Sequence, residues 1–276
     1  MFRIAKGLKA PLYFTSFSPI LIVWSYNDFR NPLLFLLLVG VVVFMQAALN
    51  LSMDFFDNKS GRVLRNEDTL FPIGSYLIEG MGVKPKTVRA FFGLSALISI
   101  SIGLFIVFYY RRYEVLIVGI LAVLISLMYV LPPFRFNTRG FGEISTFMSF
   151  GIFSVIGSMM AFGDSIGLQM IFISILLGLL ASAIRYLHHL PEDMQNGNRV
   201  TYFRPIYAII LFGGFVIQSI YPLEFLILLP SIAAGIIHYF SLKKDVIGIS
   251  RMTNQIVAIQ ILTTVLISLY LHFPHL

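Results

Sequence analysis

Nine apolar stretches run along the chain, at roughly 11–27, 33–53, 89–109, 114–131, 143–162, 167–187, 203–221, 223–241 and 254–272. A helix needs about 20 mostly apolar residues to cross the hydrocarbon of a bilayer. The pattern therefore predicts an all-α polytopic membrane protein of about nine transmembrane helices, forming a single domain over 1–276. Prolines mark several ends: Pro132 and Pro133 close the fourth stretch, and Pro222 separates the seventh from the eighth. The opening Met1–Pro11 segment imitates a signal peptide. The apolar run behind it continues for a full span and no small-x-small cleavage site follows, so it is expected to be the first transmembrane helix.

The polar gaps add an orientation. With the N-terminus on one side, that side collects 17 of the 20 Lys and Arg, while Arg30, Arg111 and Arg112 fall opposite. The positive-inside rule makes the basic side, and with it the N-terminus, cytoplasmic. The two longest gaps, about 54–88 and 188–202, lie on that side and hold most of the acidic residues. Loops longer than connection requires tend to be functional.

Composition agrees with a protein embedded in lipid: 58% hydrophobic and 12% charged, with a mean hydropathy of +0.86. A soluble domain of this length needs far more polar surface. The net charge of +7 is dispersed over short loops and forms no patch for nucleic acid. The absence of cysteine excludes disulfides, thiolate catalysis and cysteine metal sites.

The first acidic gap opens with Asn50-Leu-Ser-Met-Asp54-Phe-Phe-Asp57-Asn-Lys59-Ser-Gly61. Asn50, Asp54 and Asp57 stand at i, i+4 and i+7, within about 60° of one another on a helix. Two stacked carboxylates repel unless a cation lies between them. Oxygen ligands of this kind suit Mg²⁺, which binds through one or two carboxylates plus substrate phosphates. Lys59, Arg62 and Arg65 follow directly and have the charge to neutralise a diphosphate. The competing reading is an ordinary polar helix end solvated by cytosol.

The second gap begins Arg185-Tyr-Leu-His188-His189-Leu-Pro191-Glu192-Asp193 and continues to Gly197 and Arg199. Pro191 disfavours helix at Leu190, so His189 and Asp193 are not assigned to one helical face. Acid–base group, metal ligand and interfacial hydrogen-bonding pair all fit the two histidines, although Mg²⁺ prefers oxygen to imidazole. Between the fourth and fifth stretches, Arg135 and Arg139 add positive charge beside the acidic residues. Glu143 is either a helix N-terminal anion or a group that binds a substrate hydroxyl.

These motifs resemble the UbiA superfamily of intramembrane prenyltransferases, most closely its 1,4-dihydroxy-2-naphthoate branch. The resemblance rests on Asn50-Leu…Asp54-Phe-Phe-Asp57…Gly61, on Tyr129, Pro133, Gly140, Gly142 and Glu143, and on Lys9-x-Pro11…Ser18-Pro19. It departs at the second motif, where His188 and His189 stand in place of an arginine and an aspartate. It implies transfer of a polyprenyl group from its diphosphate to an aromatic acceptor, of naphthoate type, in quinone biosynthesis. Asn50, Asp54, Asp57 and Asp193 would hold Mg²⁺, with Asp54, Asp57 and Asp193 catalytic. Lys59, Arg62, Arg185 and Arg199 would receive the diphosphate, and Tyr129, Glu143 and His189 the acceptor. The expected setting is the cell membrane, with the active site on the cytoplasmic side. Rival readings are a transporter, which tends to place its ionisable groups at mid-membrane, and a non-catalytic lipid-binding relative.

Overall fold

The computed structural model describes residues 6–61, 74–195, 203–243 and 245–273, with only the backbone for 192, 193 and 195. Helix occupies each of the nine apolar stretches, and its ends are set by local chemistry. A 3₁₀ turn, Ala10–Leu12, leads into α1 (Tyr13–Tyr26). Asn31 caps α2 (Pro32–Lys59) by accepting from the Leu34 amide at 3.2 Å, with Pro32 in the first helical position, where a missing N–H costs nothing. Pro85 opens α3 (Pro85–Tyr109) in the same way. Next come α4 (Val115–Val130) and α5 (Gly142–Phe162), the latter with a π turn over Met148–Phe153. After α6 (Leu168–Gln195) and α7 (Phe203–Gln218), the eighth stretch breaks at Leu228 into α8 (Pro222–Ile227) and α9 (Leu229–Phe240). The last helix, α10 (Val246–His272), is capped by Asp245, which accepts from the Gly248 amide at 2.8 Å.

Among the described residues the structure is all-helical. Five helices are long and apolar enough to cross a membrane: α2, α3, α5, α6 and α10; α4, α7 and α9 are apolar but shorter. α2 runs to Lys59, which carries the helical spacing of Asn50, Asp54 and Asp57, and α6 runs to Gln195, beyond the end expected near 187. Helix also continues through Pro191, against the break expected there. The last turns of α6 are held by burial, with Leu187 and Leu190 almost inaccessible and Pro191 itself buried. Tertiary packing of this kind overrides local backbone preference.

α6 is the hub. Of its most apolar window, 67% is buried within the protein, against 17% for α3. It packs against α5, α7 and α10, and α2 and α3 form a separate hairpin beside them. Facing outward are large apolar side chains such as Phe108, Ile117, Ile209 and Phe240, each more than half exposed. An apolar exterior of this extent is stable in lipid and not in water.

The approach of α5 to α6 depends on two glycines. A Cβ on Gly151 would lie 2.6 Å from the Gly178 Cα, and one on Gly178 would lie 2.7 Å from the Phe147 ring. Small residues let helix backbones meet closely inside a membrane. We predict that Gly178→Leu lowers stability by about 1–3 kcal/mol or more through overpacking. Thermal unfolding of purified protein checks this, and an unchanged midpoint would remove Gly178 from the list of packing constraints.

Candidate active site

The acidic motifs converge at one end of the bundle. Asn50, Asp54 and Asp57, on successive turns of α2, line one small cavity of about 20 Å³ together with Lys9, Asn137 and His189. The face expected from the i, i+4, i+7 spacing is therefore present. Both carboxylates are buried, each 5% exposed. The Asn50 amide nitrogen donates to the Leu8 carbonyl at 3.0 Å, which ties α2 to the N-terminal segment.

The carboxylates do not depend on a cation to relieve their repulsion. Asp54 Oδ1 accepts from Ser75 Oγ at 3.1 Å and the Ile78 amide at 3.2 Å, while Oδ2 accepts from the Leu77 amide at 2.7 Å. Asp54 thus caps a π turn, Tyr76–Gly80, that lies across the site. Asp57 Oδ1 accepts from Arg135 Nη2 at 3.2 Å. Two carboxylates held by three donors and one guanidinium still have lone pairs to offer a hard cation.

The third segment and the second motif meet at Arg185. Its Nε donates to Tyr129 Oη at 3.0 Å, its Nη2 donates to the Asn137 carbonyl at 2.8 Å, and its Nη1 pairs with Glu143 Oε1. Its guanidinium also lies over the Tyr129 ring, 5.7 Å from the centroid. Gly142 makes room: a Cβ there would collide with the guanidinium. So Tyr129, Glu143 and Arg185, expected in two different substrate-binding roles, form one network in which the arginine's donors are largely engaged.

His188 is buried and its Nε2 lies 3.3 Å from Lys9 Nζ. An ammonium only donates, so Nε2 accepts and the ring proton resides on Nδ1. One of the three readings for the histidines, a hydrogen-bonding pair, has this geometry at His188. His189 stacks edge-on to it, with ring centroids 4.9 Å apart, and faces the acidic cavity. Lys59 is exposed at the end of α2. Asp193 stands in α6 one turn after His189, and its side chain lies outside the described residues, as do Arg62, Arg65 and Arg199. Four participants carried no assigned role in the sequence reading: Lys9, Gln46, Asn137 and the π turn. Lys9 had a signal, the Lys-x-Pro motif. The others act largely through backbone groups or distant folding, which no local pattern records.

Three cavities adjoin. The acidic one shares Lys9, Asn50, Met53 and His189 with a second of about 100 Å³, walled also by Tyr129, Arg185 and hydroxyls of α5. The second shares Gln46, Leu49, Ser126, Ser149 and Phe150 with a third of about 420 Å³, whose walls are almost wholly apolar. Several of the third cavity's residues, among them Leu104, Ile120 and Leu124, are also exposed on the outer surface, so it opens sideways between α3 and α4.

Among the described residues, no three or more His, Cys, Asp or Glu side chains gather as metal ligands. The donor set is two carboxylates and two amides. Asn137 Oδ1 is buried without a partner, which costs about 1–3 kcal/mol in a folded protein. Oxygen donors of this number fit Mg²⁺ completed by water and phosphate rather than a fully protein-caged ion.

No protein-family model matches the chain. The 1,4-dihydroxy-2-naphthoate octaprenyltransferase of Bacillus subtilis (strain 168) is 28% identical over 191 residues, 67% of this chain and 60% of that relative. The match thus spans about 60% of the curated relative's length. A solved structure described as "Structural and mechanistic insights into the biosynthesis of Digeranylgeranylglyceryl phosphate synthase in membranes" superposes with a TM-score of 0.63 over 99% of both chains, at 14% identity, which shows a shared fold. The chain is similar to UbiA-type prenyltransferases.

The Asp54 contacts generate a prediction. Asp54→Ala removes the cap from Tyr76–Gly80, so amide exchange over 74–82 should accelerate about tenfold or more, given three lost hydrogen bonds to a charged group. Asp57→Ala should leave that segment protected. Equal exchange in the two variants would show that the turn does not depend on Asp54.

Proposed function

We propose that this chain is an integral membrane prenyltransferase, moving a polyprenyl group from its diphosphate to a small acceptor. The carrying observation is the graded run of three adjoining cavities, from carboxylate-lined through cation- and hydroxyl-lined to apolar. A molecule with a phosphate head and a hydrocarbon tail matches that gradient end to end. The relatives' names support the reaction class.

In this reading the diphosphate lies at the acidic end. Asn50, Asp54, Asp57 and Asp193 hold Mg²⁺, which supplies charge neutralisation for the departing diphosphate. Lys9 and Lys59, with Arg62 and Arg199 from the adjoining segments, would supply the positive charge that is the main catalytic need when a C–O bond ionises. The bonding pair leaves with the diphosphate oxygen, and the allylic carbon becomes cationic. Faces of nearby rings, Tyr129 foremost, shield that cation. A nucleophilic atom of the acceptor then closes on it and gives up a proton. Arg185 is a positioning residue for Tyr129 and Glu143, which with His189 border the acceptor.

The favoured acceptor is an aromatic of the naphthoate type, in line with the name of the Bacillus relative, and the role in quinone biosynthesis is taken from the resemblance of the motifs. The altered second motif, His188 and His189, favours a different acceptor as the second reading. Nine spanning helices, a cytoplasmic N-terminus and a cytoplasmic-facing site in the cell membrane complete the proposal.

Turnover tests the reaction: purified protein, Mg²⁺, a labelled polyprenyl diphosphate and a panel of aromatic acceptors including 1,4-dihydroxy-2-naphthoate. A prenylated product that disappears on chelation is expected. A product from another acceptor alone would move the substrate, and no product with any acceptor would sink the enzymatic reading. Topology has a separate check, because the chain is free of cysteine. Arg139→Cys should react with an impermeant maleimide only from the cytoplasmic face and Tyr113→Cys only from the outer face. The reverse pattern would invert the orientation.

A further inference from the structure

We propose that Asn137 is an additional oxygen ligand of the divalent cation, contributed from the connection between α4 and α5. The inference rests on the reading that Asn50, Asp54 and Asp57 hold such a cation. Neither the motif on α2 nor the second motif on α6 includes this residue.

Three observations carry it. Asn137 lines the same small cavity as Asn50, Asp54 and Asp57. Its side chain is buried, 7% exposed, and Oδ1 has no hydrogen-bond partner. A buried amide oxygen in a folded protein normally finds a donor or a cation. The groups that share the cavity with it include the Asp54 and Asp57 carboxylates, Lys9 and His189, and the Asn50 Nδ2 donor is already given to Leu8.

Its backbone is held from both sides, which suits a ligand. The Asn137 amide donates to the Tyr129 carbonyl at 3.1 Å, and its own carbonyl accepts from Arg185 Nη2 at 2.8 Å. Arg185 is in turn fixed by Tyr129 and Glu143. The helix bearing the second motif therefore sets the position of an oxygen at the first. A neutral donor is also the economical choice. It adds no further charge to a cavity that already holds the Asp54 and Asp57 carboxylates. Ions of the Mg²⁺ type accept amide oxygens and water alongside one or two carboxylates.

The test uses Mn²⁺ alone, titrated into the full chain in nanodiscs and read by electron paramagnetic resonance, with no substrate and no turnover required. Asn137→Ala is expected to weaken Mn²⁺ binding at least fivefold, while Asn137→Asp keeps or tightens it. Wild-type affinity in Asn137→Ala would overturn the assignment. Should Asn137→Ala fail to fold, the comparison passes to Asn137→Asp and Asn137→Leu. Equal affinity in those two overturns it as well. Asp57→Ala separates the two levels. If it abolishes binding while Asn137→Ala does not, only the Asn137 assignment falls. If wild-type protein binds no Mn²⁺ at all, the cation reading falls with it.

Discussion

A guanidinium buried near the end of a membrane helix is the constraint on which this site is built. Arg185 is buried, only 9% exposed, so the protein must supply it with acceptors and a counter-charge. It does so from three separate places: the Tyr129 hydroxyl at the end of α4, the Asn137 carbonyl in the following connection, and the Glu143 carboxylate at the start of α5. Those bonds fix the path of the α4–α5 connection. Through Arg135 in the same connection they reach Asp57, and hence α2. One buried charge thereby links the hub helix to both motifs. Its space is provided by a glycine, Gly142, whose missing side chain is as necessary as the partners themselves.

The acidic face of α2 shows how far a sequence motif can be read and where it stops. The helical periodicity of Asn50, Asp54 and Asp57 is a local property, and the three residues do share a cavity. Their partners are not local. Asp54 is satisfied by amides more than twenty residues downstream, and Asp57 by an arginine almost eighty residues away. Carboxylate repulsion suggested a cation, yet the chain also answers it with its own donors. Which use prevails depends on the fold rather than on the spacing.

A similar division runs through the bundle. The positions of the helices were legible because hydrocarbon imposes length and polarity on anything that crosses it. The helix ends were less so. Pro191 is locally unfavourable in a helix, and its tolerance is explained only by the packing of Leu187 and Leu190 around it. The meeting of α5 and α6 over Gly151 and Gly178 likewise has no signature beyond two small residues among many. Lys9 was visible as part of a motif, but its seat on His188 joins residues 179 apart in the chain.

The lateral opening of the apolar cavity between α3 and α4 changes what concentration means for this protein. In the proposed function, a long hydrocarbon entering there comes from the bilayer rather than from water. The quantity that governs occupancy is then the number of such molecules per unit area of membrane. Diluting the aqueous phase would leave it unchanged, whereas adding inert lipid would lower it.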